Sequence, residues 1–535
     1  MKDSILILGA GVMQRPAILA AKKLGLETYV IDGNSNAPCV QDADHFAKID
    51  LKSRDEIAEC AKGLLERMNL KAVFTAGTDF SANVAYAAEQ CGFVGHSYAA
   101  AVNASDKALM RQCFKNARVP CPHFILIEKK YLKNTLTAQV VKGLKFPYVV
   151  KPVDNMGARG CRMVRNQDEL YAALDEALKY SRSGRALLEE YLDGPEYSID
   201  ALIYDGTFTV TGFADRHIAF EPYFVELGHT MPSGVPYQRY IELVKTFALG
   251  AKSLGLSRGA AKADIKWTKN GPVIGEIAAR LSGGYMSGWT FPYSSDLNLT
   301  EQAIEIALGR RPFALENYRF PLALKDAPFQ IFAYNSSRSS AERAWISIPG
   351  RVKEVLHCEE AAKISGVRDI FPRVKEGDRV VFPRNNVEKC GNVIAVAATR
   401  EQAVKAAEEA VKLITVTLEK GNPETDDFLR MKRAKEDGAF PPEAFQLSKE
   451  VERAFNFELD CESERKIGEF DLISNNVPSS LSGCMDLKDW NHISLSETIE
   501  KFDKLSLNHG ELNYKKFWLA LIRGGIQGAL YVSKQ

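Results

Sequence analysis

The stretch that decides the fold runs from Gly259 to Gly284 and reads GAAKADIKWTKNGPVIGEIAARLSGG. Two apolar runs flank its Lys-Asn-Gly, and Asn-Gly between apolar runs is a strong signal for a two-stranded hairpin. Asp264 lies on the first predicted strand and Glu276 on the second. Paired strands can point the two carboxylates to one place, and Mg²⁺ prefers such hard oxygen ligands together with phosphate oxygens. The hairpin therefore predicts a magnesium site.

Arg280 follows this pair and leads into a glycine-containing loop. A guanidinium offers a planar fork to a carboxylate or to a phosphoryl group in transfer. We therefore predict Arg280 as a catalytic residue that faces the acceptor. The structural alternative is a surface ion pair between Glu276 and Arg280, but the small residues around it offer little to bury such a pair. The candidate substrate-binding residues are Arg280, Ser282, Gly283 and, further away in the sequence, His217.

A second segment upstream has the features of a phosphate-binding loop. The run from Pro147 to Pro152 reads as a strand that ends in Lys151, and a glycine-bearing loop follows at once. Small residues let backbone N–H groups close over phosphate oxygens, while a lysine at a strand end supplies a fixed positive charge. A surface hairpin with an extended lysine explains this segment equally well. The loop residues concerned are Gly157, Ala158, Arg159 and Gly160.

Two acids and an aromatic residue end the next predicted strand and precede a turn. Such a stretch can offer backbone groups to an adenine edge and a carboxylate to ribose hydroxyls. Taken alone, the segment is more typical of a solvated acidic strand end. Its residues are Glu189, Glu190, Tyr191, Leu192 and Glu196.

The N-terminus carries most of a dinucleotide-binding pattern. Gly9-Ala10-Gly11 follows a predicted strand and opens a helix, and Asp32 closes the next strand. Gln14 stands where close helix–strand packing would favour the third glycine. We therefore favour a tight turn that binds no NAD, on a parallel sheet built from alternating strands and helices.

Composition and charge exclude several classes of protein. Hydrophobic residues make up 46% of the 535 residues, which is ordinary for a globular protein, and about 150 residues per domain suggests three or four domains. Lys and Arg total 69 against 68 Asp and Glu, so no overall charge favours nucleic acid or anionic membrane. The ten cysteines are scattered, the N-terminal apolar run is too short for a signal peptide, and no stretch predicts a membrane span. We expect a cytoplasmic protein that binds neither nucleic acid nor membranes.

Taken in chain order, these features resemble the ATP-grasp superfamily, and most closely its carboxylate–amine ligase and carbamoyl-phosphate-synthase-like branch. The resemblance implies an α/β fold, with α+β character in the grasp domain. It places an N-terminal Rossmann-like domain at residues 1–104, an ATP-grasp domain at 105–318 with a lid at about 120–187, and a C-terminal α/β piece at 319–420. Residues 421–535 lie outside the resemblance, and we predict a mostly helical appendage there.

The resemblance also assigns roles to individual residues. It gives ATP contacts to Lys107, to Lys151 with the loop 157–160, and to the acidic segment 189–196; it gives magnesium to Asp264 and Glu276, and the substrate and phosphate to Arg280. Two positions depart from the family. Ala278 replaces an asparagine that often binds magnesium, and Asp264 is one methylene shorter than the more common glutamate.

The activity that the resemblance implies is phosphorylation of a carboxylate by ATP, followed by attack of an amine on the acylphosphate to form a C–N bond. ATP and Mg²⁺, with Mn²⁺ as an alternative ion, are the expected cofactors, and the partners are a small-molecule carboxylate and amine, with a homodimer as an assembly to test. Two alternatives stay open at this point. One is phosphorylation of bicarbonate, as in carbamoyl phosphate synthase and biotin carboxylase. The other, based on the first hundred residues, is an NAD(P)-binding oxidoreductase or a nucleotide sensor.

Overall fold

The structure is a computed structural model that describes residues 2–431 and 440–533. The chain divides into two compact units. Unit 1 comprises Met1–His217, His229–Ala341 and Val396–Arg400, and unit 2 comprises Ile218–Gly228, Glu342–Ala395 and Glu401–Gln535. All the residues predicted to form the functional site lie in unit 1.

The N-terminal part of unit 1 is a four-stranded parallel sheet with strand order β3-β2-β1-β4. Its elements are β1 (Ser4–Leu8), α1 (Arg15–Lys23), β2 (Glu27–Asp32), β3 (His45–Lys48), α2 (Arg54–Met68), β4 (Leu70–Phe74), α3 (Ser81–Gln90) and α4 (Tyr98–Ser105). The predicted alternation of strands and helices is confirmed. Burial explains it, because the residues of β1 are completely buried and parallel strands need apolar side chains on both faces.

The segment that follows forms a second sheet, antiparallel, with strand order β5-β8-β6-β7. Its elements are α5 (Lys107–Ala117), β5 (Phe124–Glu128), α6 (Leu132–Thr135), α7 (Ala138–Gly143), β6 (Tyr148–Pro152), β7 (Arg162–Val164), α8 (Gln167–Tyr180) and β8 (Arg185–Glu190). Asp106 caps α5 by accepting hydrogen bonds from the backbone N–H groups of Ala108 and Leu109. The strand predicted to end at Lys151 is confirmed as β6.

The third part of the fold carries the predicted hairpin. Its elements are β9 (Glu196–Tyr204), β10 (Thr207–Ala219), β11 (Val225–Met231), α9 (Tyr237–Ser253), β12 (Gly259–Thr268), β13 (Gly271–Ala278), α10 (Phe291–Ser295), α11 (Leu299–Ala307), α12 (Phe313–Tyr318), β14 (Arg319–Pro321) and β15 (Gln330–Tyr334). Strands β13, β12, β9 and β10 are neighbours in that order and antiparallel. A π-helical turn, Met286–Thr290, joins the glycine-containing loop to α10.

The remaining elements are β16 (Ser339–Trp345), β17 (Gly350–Leu356), α13 (Cys358–Ala362), β18 (Val367–Pro372), β19 (Arg379–Val380), β20 (Gly391–Ala397), α14 (Arg400–Leu413), β21 (Thr415–Leu418), α15 (Pro423–Arg430), α16 (Lys449–Cys461), β22 (Lys466–Ile467), α17 (Leu495–Leu505), β23 (Leu512–Asn513) and α18 (Tyr514–Val532). In unit 2, β17 pairs with β19 and β21. Helices α16, α17 and α18 pack around an apolar core that includes Phe445, Phe502 and Trp518. Residues 421–431 and 440–533 contain α15 and these three helices together with the short strands β22 and β23, and the mostly helical appendage remains a prediction.

The two compact units divide the chain differently from the predicted domains. Residues 319–341 fall in unit 1, and residues 421–533 fall in the same unit as 342–395. The predicted boundaries at 104, 318 and 420 remain predictions. Within residues 2–431 and 440–533, no helix combines the length and apolar character needed to cross a membrane.

One close contact fixes the end of the loop that carries Arg280. The ring of Phe291, the first residue of α10, lies against Gly212 on β10, where an added Cβ would come within 2.5 Å of the ring. Overpacking of this kind costs about 1–3 kcal/mol in a well-packed core. We therefore expect Gly212→Ala to lower the melting temperature measured by calorimetry. Gly143→Ala, where a Cβ meets nothing within 4 Å, is the control and should leave it unchanged.

Candidate active site

The candidate site is one face of the sheet formed by β10, β9, β12 and β13. Successive side chains of a strand point to opposite faces, so alternate residues share a face. Strand register then places polar residues in three rows: Arg216, Glu196 and Lys266; Ser198, Asp264 and Glu276; and Asp200 with Lys262. Asp264 and Glu276 are direct partners across the β12–β13 hairpin. The hairpin thus brings the two residues together as cross-strand neighbours, and their shared magnesium site remains a prediction.

Cations surround both of these carboxylates. Asp264 accepts a hydrogen bond from Ser198 Oγ at 2.9 Å, lies 3.0 Å from Arg216 Nη1, and also contacts the ammonium group of Lys262. Glu276 Oε1 lies 3.4 Å from Lys107 Nζ, and a third of its side chain is exposed. Burial opposes ionisation of Glu276, but the charges of Lys107 and Lys262 outweigh it and lower its pKa. Glu276 is therefore ionised at neutral pH.

The predicted alternative for Arg280 does not occur. Glu276 pairs with Lys107, whereas Arg280 Nη1 donates to the backbone oxygen of Leu281 at 2.8 Å. Among the residues that the structure describes, no carboxylate lies within ion-pair distance of Arg280. Its guanidinium therefore keeps donors available for an anionic ligand.

A buried carboxylate, that of Asp200, holds the loop after Arg280 in place. Asp200 accepts hydrogen bonds from Ser282 Oγ at 2.7 Å and from the Ser282 backbone N–H at 3.1 Å. Gly283 packs against Gly77, where a Cβ would lie 3.3 Å from the Gly283 Cα. The Ser282 hydroxyl is thus engaged by Asp200. Gly283 has no side chain, so the loop after β4 can approach the loop after Arg280 closely. The other substrate candidate, His217, lies on β10 with Nε2 at 2.9 Å from Thr230 Oγ1.

Asp200 is ionisable, yet it is completely buried. Burial raises its pKa from 3.8 to about 6, against the opposing effects of the Ser282 hydrogen bonds and of Lys262 and Arg280. Asp79, on the loop after β4, has a pKa raised by burial and by Glu276, and lowered in part by Arg280 and Lys107. Both carboxylates therefore lie within the electrostatic reach of Arg280.

The acidic segment at the end of β8 is held by a buried ion network. Glu189, only 2% exposed, has Oε1 at 2.7 Å from Arg111 Nε and Oε2 at 2.6 Å from Lys151 Nζ. Burial alone would raise the pKa of Glu189, but Arg111 and Lys151 lower it below its ordinary value. Arg111 also donates to the Gly275 backbone oxygen at 2.6 Å. Both carboxylate oxygens of Glu189 are thus engaged inside the protein.

The residues after Glu189 form the connection to β9. Glu190 accepts from the His123 backbone N–H at 3.1 Å. Lys266 Nζ donates to the Leu192 backbone oxygen at 3.0 Å and lies 5.3 Å from the centre of the Tyr191 ring. Glu196 pairs with Arg216, and its Oε2 lies 3.8 Å from Lys266 Nζ. These contacts bring the segment 190–196 to the same charged face as Asp264.

The glycine-bearing loop between β6 and β7 has the backbone that its sequence suggests. Gly157, Ala158 and Gly160 all have positive φ, at 67°, 61° and 69°. Arg159 Nε donates to the Met156 backbone oxygen at 3.1 Å. Lys107 Nζ donates to the Asn155 backbone oxygen at 2.9 Å, which brings the start of α5 to the start of this loop.

Four charged residues of the site escaped the sequence reasoning: Asp79, Arg111, Arg216 and Lys262. The partners of Asp79, Arg111 and Arg216 lie on other elements, so their roles depend on strand pairing and helix packing that no local pattern reveals, whereas Lys262 contacts Asp264 two positions along the same strand. Asp200 is different, because it continues the alternation Glu196, Ser198 along β9 and could have been found from it.

The dinucleotide pattern at the N-terminus is occupied by the protein's own groups. Gln14 is buried, and its amide accepts from the Ala76 backbone N–H at 2.9 Å and donates to the Ala76 carbonyl. Asp32 accepts from the backbone N–H groups of Ala10 and Asn34, each at 2.8 Å. The Gln14 side chain also lies 3.1 Å from where a Cβ on Gly9 would be, so it fills the turn. These contacts agree with the preferred interpretation of a turn that binds no NAD.

Two protein-family models match the chain. The ATP-grasp domain matches residues 144–288, and the L-amino acid ligase C-terminal domain 2 matches residues 344–419. The chain is 25% identical over 376 residues to the uncharacterised protein y4rH of Sinorhizobium fredii, covering 69% of this chain and 72% of that one. It is 26% identical over 332 residues to carnosine synthase 1 of Gallus gallus, which covers 58% of this chain and only 36% of the synthase.

A solved structure agrees with these matches. The crystal structure of L-amino acid ligase from Bacillus licheniformis superposes with a TM-score of 0.65 at 18% identity, covering 78% of this chain and all of that one. At this identity the likeness establishes the fold. Fold, family model and relatives together show that residues 144–288 contain an ATP-grasp domain, and they make the chain similar to carnosine synthase 1 and to an L-amino acid ligase. The chain shares its C-terminal domain 2 with the L-amino acid ligases, and neither the bicarbonate alternative nor the NAD(P) alternative is favoured.

The raised pKa of Asp200 predicts how stability depends on pH. Its folded pKa of about 6 exceeds the ordinary 3.8, so the folded state favours the proton. Wild-type stability should therefore fall as pH rises from about 4 to 6, and the whole penalty, at most about 3 kcal/mol, is present above pH 6. Asparagine keeps the shape of the side chain without its charge. The free energy of unfolding of Asp200→Asn, measured in urea, should therefore rise relative to that of wild type over this pH range. The exposed Asp193→Asn is the control, and equal pH dependence in all three proteins would contradict the assignment.

Proposed function

We propose that the protein transfers the γ-phosphoryl group of ATP to a small-molecule carboxylate and that an amine then displaces phosphate to form an amide. The observation that carries this proposal is the arrangement at the β12–β13 hairpin. There, Asp264 and Glu276 share one face while Arg280, without an ion-pair partner among the described residues, begins the loop beside them. Carboxylates for a metal and a free guanidinium for an acceptor are the groups that this reaction needs.

Members of the ATP-grasp superfamily use ATP with Mg²⁺. The residues present fit the ion, because Asp264 and Glu276 offer hard oxygens from directly paired positions and Glu276 has a lowered pKa. Ala278, two residues after Glu276 on β13, offers no side-chain oxygen. Glu276 has fewer contacts within the protein than Asp264, because Asp264 already contacts Ser198, Arg216 and Lys262. Bound Mg²⁺ would neutralise charge on the phosphate oxygens.

The lysines around the site bind and orient the nucleotide in this proposal. Phosphoryl transfer depends mainly on positioning and on neutralising charge, and Lys107 and Lys151 are held near the glycine-bearing loop for that purpose. Glu189 orients the Lys151 side chain through their ion pair and therefore acts as a positioning residue. The candidates for binding adenine and ribose remain the segment Glu190 to Leu192 and Glu196. The loop 157–160 would cover the phosphates and exclude water, which would otherwise hydrolyse the acylphosphate.

Arg280 binds the acceptor carboxylate and the phosphoryl group that moves onto it. Asp200 and Ser282 hold the adjoining loop, so that the guanidinium stays in place during transfer. The shared C-terminal domain of L-amino acid ligases and the similarity to carnosine synthase support an amino acid or a related acid as a substrate. A cytoplasmic location and a homodimer remain predictions.

The direct test is trapping of the acylphosphate. The full chain is incubated with ATP, Mg²⁺, hydroxylamine and pools of amino and hydroxy acids, and both hydroxamate and phosphate are measured. We expect hydroxamate that depends on ATP and on one acid class, because hydroxylamine attacks an acylphosphate without needing the natural amine. Release of phosphate with no hydroxamate from any acid would contradict carboxylate activation.

Separate roles for Glu276 and Arg280 make a second test. Glu276→Gln removes the charge that a hydrated cation needs, so nucleotide affinity in Mg²⁺ should fall at least about tenfold. Arg280→Lys keeps the charge but loses the planar fork, so ATP should bind normally while turnover falls about 100-fold. Nucleotide affinity is measured by calorimetry and turnover by phosphate release.

The control for the arginine change is Arg239→Lys, at a residue that lies over the Trp267 ring rather than in the site. It should alter neither affinity nor turnover. Normal turnover by Arg280→Lys would show that the acceptor is bound elsewhere.

A further inference from the structure

A cavity adjoins Arg280 and is lined mainly by small apolar side chains. It has a volume of about 70 Å³ available to the centres of water-sized molecules, and it opens partly to solvent. Helices α3, α4 and α11 and strand β12 all contribute to it. The cavity exists because six of the lining residues on these elements are alanines with short side chains: Ala85, Ala88, Ala101, Ala260, Ala303 and Ala307.

Most polar groups along this cavity, other than Arg280, have structural partners, although the buried Nε of Arg258 makes no hydrogen bond among the described residues. His96 Nε2 lies 2.9 Å from the Ala260 backbone oxygen, and its Nδ1 accepts from the Ser257 backbone N–H at 3.3 Å. Thr75 Oγ1 donates to the Leu8 backbone oxygen at 2.8 Å. Arg258 Nη1 lies 3.1 Å from Asp205 Oδ1. Arg280 is different, because no carboxylate among the described residues pairs with it.

We infer that this cavity binds the side chain of the carboxylic acid that the enzyme activates, and that the acid is one with an apolar, aliphatic or aromatic side chain. The inference rests on the proposed function, which places the acid's carboxylate at Arg280. Apolar walls favour an apolar group, since a charged or strongly polar side chain would lose its hydration without gaining partners. The guanidinium supplies the matching charge for the carboxylate alone.

The alanines set the size of the acceptable side chain. Ala85 on α3 is 5% exposed and faces the cavity, so a leucine there would occupy the space that the substrate needs. Ala307, at the end of α11, lines the same cavity but is only partly buried, so a leucine is easier to accommodate there. Ala82, also on α3, does not line it and provides a matched control.

The experiment uses hydroxamate formation by the full chain with ATP, Mg²⁺ and hydroxylamine. The acids are glycine, alanine, leucine, phenylalanine, aspartate and lysine. We expect kcat/KM for leucine and phenylalanine to exceed that for aspartate and lysine at least tenfold. In Ala85→Leu and Ala307→Leu, kcat/KM for phenylalanine should fall at least tenfold while that for alanine stays within twofold. Ala82→Leu should behave as wild type, and the melting temperature with ATP shows that each variant is folded.

Each other outcome overturns a distinct statement. Equal use of all the acids, or preference for aspartate or lysine, overturns the inference but leaves carboxylate activation intact. Preference for apolar acids that neither leucine variant alters overturns the placement of the side chain in this cavity. No hydroxamate from any acid overturns the proposed function, and the inference with it.

Discussion

The candidate site depends on the burial of one charged group, Glu189. A carboxylate so completely buried must be paired, because an isolated ionised group loses several kcal/mol of hydration. Arg111 on α5 donates to both carboxylate oxygens and Lys151 on β6 contacts one of them, so together they meet this requirement. Arg111 also reaches the backbone of Gly275, one residue before Glu276. A single buried carboxylate thus fixes the helix, the lysine strand and the hairpin in relation to one another.

Around Asp264 and Glu276 the ion pairs differ from those of the buried Glu189 network, because a bound ligand can rearrange them. Asp264 and Glu276 are neutralised by Lys262, Arg216 and Lys107, and Glu276 remains partly exposed. In the proposed function, phosphate oxygens attract these cations while the carboxylates turn to the metal. Ion pairs are exchanged rather than lost, so nucleotide and metal should bind together more tightly than either alone. The buried Glu189 network takes no part in this exchange and keeps Lys151 oriented.

Much of the fold could be predicted from the sequence because its signals are local. Asn-Gly between apolar runs predicted the hairpin, whereas the pairing of Asp264 with Glu276 also depends on a register shift between Asp264 and Ile265 that the turn does not determine. The orientation of Glu189 could not be predicted in the same way. Glu189 and Glu190 are successive residues of one strand and point to opposite sides, so the choice of the buried one depends on Arg111, 78 positions away. The contact of Asp200 with Ser282 likewise joins residues 82 positions apart.

Gln14 shows how a departure from a familiar pattern acquires a structural role. A glycine there would leave both the N–H and the carbonyl of Ala76 without the amide partners that the buried Gln14 supplies. Unpaired buried backbone groups are costly, so the glutamine holds the loop after β4 in place. That loop continues through Gly77, which packs against Gly283 beside Arg280. The N-terminal sheet therefore acts on the acceptor side of the site by supporting a loop, and its glycine turn is filled by the side chain that provides the support.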